Sequence, residues 1–238
     1  MFKLRKPEEI FQTDGEIENG TFEGRWHFSF DMYYDPVFVQ FGMLRVFNDD
    51  TLSPGATWPL HPHREIEVVT YCAAGEFQHA DEHGIGSVLQ KGWVQHTTVG
   101  KGMYHAEINN RVDESMRFIQ MWFLPYERRL EPAVQQKQVE REDRTNRFLP
   151  LVSNEYDEAL PIHSDAEVYS LFLQANHAIK FMILENWGIY LYLLEGGPAQ
   201  VNGQRLETLG TVMVTSEKDL DVNAESDAEL LLVHVRLT

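Results

Sequence analysis

The feature that most narrows the fold is a rhythm. Short runs of β-branched and aromatic residues, each closed by Gly, Asn or Asp, recur along almost the whole chain, and helical periodicity is scarce. Such spacing predicts an all-β sandwich or barrel. Strands are expected over Phe38–Phe47, Glu65–Tyr71, Ser87–Leu89, Trp93–Thr98, Met116–Phe123, Val168–Gln174, Lys180–Glu185, Ile189–Leu194, Thr211–Thr215 and Glu229–Arg236.

The rhythm breaks once, in a polar, charge-dense segment from Tyr126 to Arg147. That break divides the chain into 1–125, a linker over 126–149, and 150–238. A faint repeat relates the two halves. Glu67-Val-Val-Thr-Tyr-Cys-Ala-Ala-Gly75 and Tyr190-Leu-Tyr-Leu-Leu-Glu-Gly196 both end an apolar strand at a glycine turn, and each is followed by a hairpin-like stretch ending at Gly92 or Gly210. A duplicated barrel is expected.

With 238 residues, 43% hydrophobic and 12% aromatic, the chain can bury a core, so disorder is excluded. Its 20 Lys and Arg against 37 Asp and Glu give a net charge of −17, which argues against direct nucleic-acid binding or an anionic membrane as partner. The single cysteine, Cys72, allows no intrachain disulfide, and no run reaches the roughly 18 apolar residues of a spanning helix. The N-terminus lacks the apolar core of a secretory signal, so a cytoplasmic location is expected. Cys72 follows Val-Val-Thr-Tyr and reads as a buried, inert thiol. Neither a Gly-x-Ser-x-Gly elbow nor a phosphate-binding loop is present, so hydrolase and nucleotide-binding chemistry have no foothold.

Histidines concentrate the chemistry. Six of the ten lie between His61 and His105, while the second half holds His163, His177 and His234 without a His-x-His. In an extended chain His61 and His63 share a face, and so do His105 and Glu107. Three imidazoles and a carboxylate turned into one barrel would bind a divalent first-row metal and leave up to two positions open for substrate, water or dioxygen. The ordinary alternative, isolated histidines satisfied by backbone carbonyls, explains one such residue better than two same-face pairs.

At these residues the chain resembles the pirin family of bicupin proteins. The resemblance runs through Phe28-Ser-Phe-Asp-Met-Tyr-Tyr-Asp-Pro36, Phe41-Gly-Met-Leu-Arg-Val-Phe-Asn-Asp-Asp50, His61-Pro-His-Arg64, His79-x-Asp81, Thr98-Val-Gly-Lys-Gly102 and His105-x-Glu107. It implies two cupin, jelly-roll-type barrels in tandem. The first would hold a metal, usually Fe(II), through His61, His63, His105 and Glu107, with Mn, Co, Ni, Cu or Zn suiting the same donors. Glu65, Lys91-Gly92 and His96 depart from the usual family pattern without removing a ligand.

Other residues near the motifs have expected roles. Glu67 shares strand parity with His61 and His63 and is a rival ligand, read here as a hydrogen-bond acceptor that orients one of the ligands. His79 and Asp81 gate substrate or support a ligand, whereas His83 reads as solvated turn. One of Gln95 and His96 should face the barrel interior. Phe41, Met43 and Trp122 are candidate walls of a substrate pocket. Members resembling this chain imply two functions. One is a quercetinase-type dioxygenase taking a flavonol-like substrate and dioxygen, with Glu107 as catalytic base. The other is a non-catalytic metal-sensing regulator that binds a protein partner.

Overall fold

The computed structural model describes residues 1–81 and 86–237. Among them the only helices are two 3₁₀ turns, Pro7–Glu9 and Glu142–Arg144. The rest is four antiparallel sheets arranged as two cupin barrels.

In the first barrel, a seven-stranded sheet runs Ala133–Lys137, Val94–Thr98, Glu67–Ala74, Met116–Phe123, Leu44–Leu52, Gly20–Trp26, Phe11–Ile17. It closes on a four-stranded sheet ordered Thr57–His63, Met103–Asn109, Glu76–Asp81, Gly86–Gln90. In the second barrel the sheets have six and four strands. The larger runs Phe2–Arg5, Thr211–Thr215, Trp187–Gly196, Ala228–Arg236, Ala166–Leu173, Leu149–Val152, and the smaller Ala178–Met182, Asp219–Ala224, Ala199–Val201, Gln204–Leu206.

Alternation assigns the faces of the large sheets. Along Glu67–Ala74, Val69, Tyr71 and Ala73 join an apolar layer that includes Tyr190, Tyr192 and Val233 of the second barrel. Cys72, one step out of phase, packs with Phe77, Leu89 and Phe118 inside the first barrel. The central strands of each large sheet are therefore buried on both faces, which is why they read as continuous apolar runs. A separate cluster around Leu171, Leu191 and Leu220 fills the second barrel.

The repeated glycines are structural. Gly75 and Gly196 have φ of +68° and +69°, and a Cβ on either would lie 2.7 Å from the Ser115 carbonyl oxygen or 2.0 Å from that of Asp227. Only glycine fits such a turn.

Among the elements that depart from the expected pattern, three bear most on the architecture. The strand expected at Phe38–Phe47 begins at Leu44 and continues to Leu52, carrying Asn48, Asp49 and Asp50 through the sheet. Phe2–Arg5 pairs with Thr211–Thr215 in the second barrel, and Ala133–Lys137, inside the 126–149 segment, extends the sheet of the first.

Polar ties cross between the barrels. Arg117 clamps Asp49 through Nε (2.8 Å) and Nη2 (2.6 Å), and the Tyr192 hydroxyl donates to the same carboxylate. Arg144 pairs with Glu229 at 3.0 Å, and the Tyr71 hydroxyl donates to Glu229 at 2.6 Å.

Candidate metal centre

Thr57–His63 is the edge strand of its sheet, where Pro59 and Pro62 forfeit no interior ladder bond. Its partner, Met103–Asn109, places His105 directly opposite His61. Their neighbour His63 lies two residues further along the same face. The three rings converge, with centroids 4.7 Å (His61–His63), 4.6 Å (His61–His105) and 4.9 Å (His63–His105) apart. One nitrogen from each lies within 4.8 Å of the other two.

The electrostatics suit ligands. Burial, reinforced by neighbouring imidazoles, pushes His63 down to about 4 and His105 down to about 2, so both present neutral lone pairs at pH 7. His61 Nδ1 donates to the Pro59 carbonyl at 2.8 Å, which turns its Nε2 toward His105 Nε2 at 3.1 Å. Among the described residues His63 Nε2 is buried without a hydrogen-bond partner. An orphaned nitrogen beside two more, converging on one point, fits a bound cation.

Glu107 stands slightly apart. It follows His105 by two residues, but an irregularity in the neighbouring strand puts it opposite Trp58 rather than Pro59. It is buried and lines the same cavity as His61 and His63, outside the close trio of nitrogens. Gln120 donates to its Oε1, and Gln120 is itself fixed by Trp122 Nε1–H at 2.7 Å. Burial raises the Glu107 carboxyl against the opposing pull of His61 and Gln120. His79 touches the trio from behind, its Nε2 2.8 Å from His105 Nδ1.

The cavity has a volume of about 680 Å³, with walls formed by Trp26, Phe30, Trp58 and Trp122. Asn48, Asp50 and Gln120 add polar groups, and the exposed Glu16, Glu18 and Asp31 line it as well. Asp50 is pushed well above the usual carboxylate range by burial, although Trp26 Nε1 donates to it at 3.1 Å. An apolar-walled chamber ending at clustered imidazoles suits a flat aromatic ligand.

Several sequence expectations are corrected here. Glu67 orients none of the trio: it sits on the large sheet and faces the second barrel, where it accepts from His96 Nε2 (2.8 Å), Thr98 Oγ1 (3.1 Å) and the His163 backbone N–H (3.1 Å). Its strand parity with His61 is lost because Glu65, at φ +54°, turns the chain between the two sheets. His96 accordingly faces outward, and Gln95 points into the first barrel beside Thr97. Of the proposed walls, Trp122 lines the cavity, whereas Phe41 and Met43 pack in the layer between the barrels. Trp26, Phe30 and Trp58 were missed, although Trp58 lies only three residues before His61.

Cys72 is buried and its thiol is pushed up to about 12 by burial, as an inert core residue requires. His83 lies outside the described residues. In the second half, His234 is buried against Glu167 at 2.8 Å and His177 bonds the Ala175 carbonyl, so among the described residues no second histidine trio forms.

Comparison with known proteins agrees with this architecture. A model of the pirin domain matches residues 10–123, and one of the quercetinase C-terminal cupin domain matches 151–235. A Pseudomonas aeruginosa protein provisionally named quercetin 2,3-dioxygenase is 39% identical over 94% of this chain and 97% of its own. The quercetin 2,3-dioxygenase of Escherichia coli K12 is 30% identical over 98% of this chain and 97% of its own. The crystal structure of the bacterial pirin YhhW from Escherichia coli in complex with nickel(II) superposes with a TM-score of 0.91 at 28% identity, covering 100% of both chains.

Proposed function

The chain belongs to the pirin family, and from that premise we propose that it is a metal-dependent dioxygenase that opens the heterocycle of a flavonol with dioxygen. The observation that carries the reading is the trio of converging imidazoles on an aromatic-walled cavity that also contains a buried carboxyl.

His61, His63 and His105 hold one divalent ion, with Glu107 as the fourth donor and Fe(II) as the ion in the cell; the relative YhhW binds nickel(II). The bound ion supplies Lewis acidity toward the substrate's enolic oxygen and a route for electrons to dioxygen. Trp26, Phe30, Trp58 and Trp122 hold the planar rings and keep water away from the reacting carbon atoms. Gln120 fixes Glu107 through Oε1, so its other carboxylate oxygen would serve as the fourth donor before substrate enters and, once displaced by the substrate, take the enolic proton. A carboxyl whose pKa burial has raised is a stronger base than one in water, which suits it to a phenolic proton.

Residues 1–125, apart from the Phe2–Arg5 strand lent to the second barrel, carry this chemistry; 126–149 join the halves and lend Ala133–Lys137 to the first; and 150–238 form a metal-free barrel that braces it. We place the protein in the cytoplasm, where Cys72 stays reduced. Oxygen uptake with a flavonol tests the reading: consumption should require metal, stop with a chelator and return on reloading. Metal-loaded protein that consumes no oxygen with any flavonol would favour the regulatory function instead.

A further inference from the structure

The rings of the trio are held in different ways. His61 is anchored by a backbone carbonyl, whereas His105 Nδ1 is met by another imidazole, the Nε2 of His79, at 2.8 Å. His79 is 4% exposed, sits on Glu76–Asp81, and lies outside the close set of three nitrogens. In the register, Glu107 opposes His79 and Asp81 opposes His105, so the two imidazoles are diagonal neighbours on one face. Their rings meet edge to face, with centroids 4.9 Å apart at 74°.

A hydrogen bond between two neutral imidazoles carries a single proton, so one nitrogen donates and the other accepts. His105 Nε2 faces His61 Nε2 at 3.1 Å, and both nitrogens need free lone pairs to bind one ion. The proton of His105 then belongs on Nδ1. His79 must receive it on an unprotonated Nε2 and carry its own proton on Nδ1.

We propose that His79 is a positioning residue that selects the metal-ready tautomer of His105 and fixes its ring plane. The inference rests on the metal-site reading above and adds the group that sets its third ligand. Because His105 is 2% exposed, water is a poor substitute for that acceptor. Ligating histidines generally rely on such an outer partner, usually a carboxylate or carbonyl. An imidazole in this place does the same work without adding a negative charge beside the ligands.

Two experiments on the full chain test it. In the zinc(II)-loaded protein, long-range ¹H–¹⁵N correlation of the histidine rings should show protons on Nδ1 of both His105 and His79. A proton on His79 Nε2 overturns the proposal. Nickel(II) affinity, measured by competition with a chelator, should fall about 10- to 100-fold in His79→Leu. It should stay within about threefold of wild type in His79→Gln, whose side-chain oxygen accepts the same hydrogen bond. Wild-type affinity in His79→Leu, or equal weakening in both variants, overturns the proposal alone. A wild-type chain that binds neither zinc nor nickel overturns the metal-site reading and the proposal with it.

Discussion

Replacing Arg117 by Met should weaken the junction between the barrels while leaving metal binding intact. Arg117 holds Asp49 through two hydrogen bonds, 2.8 and 2.6 Å, and Asp49 is 1% exposed. Methionine keeps much of the aliphatic stem, so the main loss is the charge partner, and Asp49 is left with the Tyr192 hydroxyl. Breaking one side of a buried pair costs about 3–5 kcal/mol, and the 18% exposure of the Arg117 side chain places this case near 3 kcal/mol. For a chain of this size that is roughly a 6–12 °C fall in melting temperature. The double variant Asp49→Asn/Arg117→Met removes the orphaned charge and should recover at least half the loss. Urea unfolding followed by circular dichroism and tryptophan fluorescence reads both variants. The reasoning is refuted if the single variant lies within about 1 kcal/mol of wild type, or if the double variant is the less stable of the two.

Glu107→Gln preserves shape but not basicity, so flavonol turnover should fall about 10²- to 10⁴-fold while stability changes by about 1 kcal/mol or less; equal turnover would remove Glu107 as the base. Cys72, with its thiol at about 12, should resist a thiol reagent at pH 8 in the folded protein and react once urea unfolds it. For Glu67, burial acts to raise the carboxyl, but the hydrogen bonds and charge of His96 with the His163 and Thr98 contacts outweigh it and hold the group below 4.5. Its folded pKa is depressed, so its stabilisation is present above pH 4.5 and is lost as pH falls through the lower folded value. Glu67→Gln should therefore be less stable than wild type at pH 7 and show a shallower loss of stability on acidification below pH 4.5, measured by thermal melts across that window.

The parts of the site that follow from local alternation were legible in the sequence. His61 with His63 is a two-residue spacing on one strand, and cross-strand pairing then brings His105 to them. Glu107 shares the spacing, but the irregularity opposite Trp58 sets it to one side, and no local pattern announces that shift. Glu67 was misplaced because counting by twos across Arg64–Ile66 ignores the turn at Glu65. Asn48-Asp49-Asp50 looks like the end of a strand, yet Leu52 resumes the alternation, and in the fold Asp49 and Asp50 meet Arg117 and Trp26. The pairing of Phe2–Arg5 with Thr211–Thr215 joins segments more than 200 residues apart, and no short-range pattern encodes it.

Metal content measured by mass spectrometry on the purified protein and on a His61→Ala/His63→Ala variant tests the central claim most directly. The account predicts one equivalent per chain in the wild type and less than about a tenth of that in the variant, since both replacements remove ligands from a single site. A wild-type value near two, or full occupancy in the variant, would contradict it.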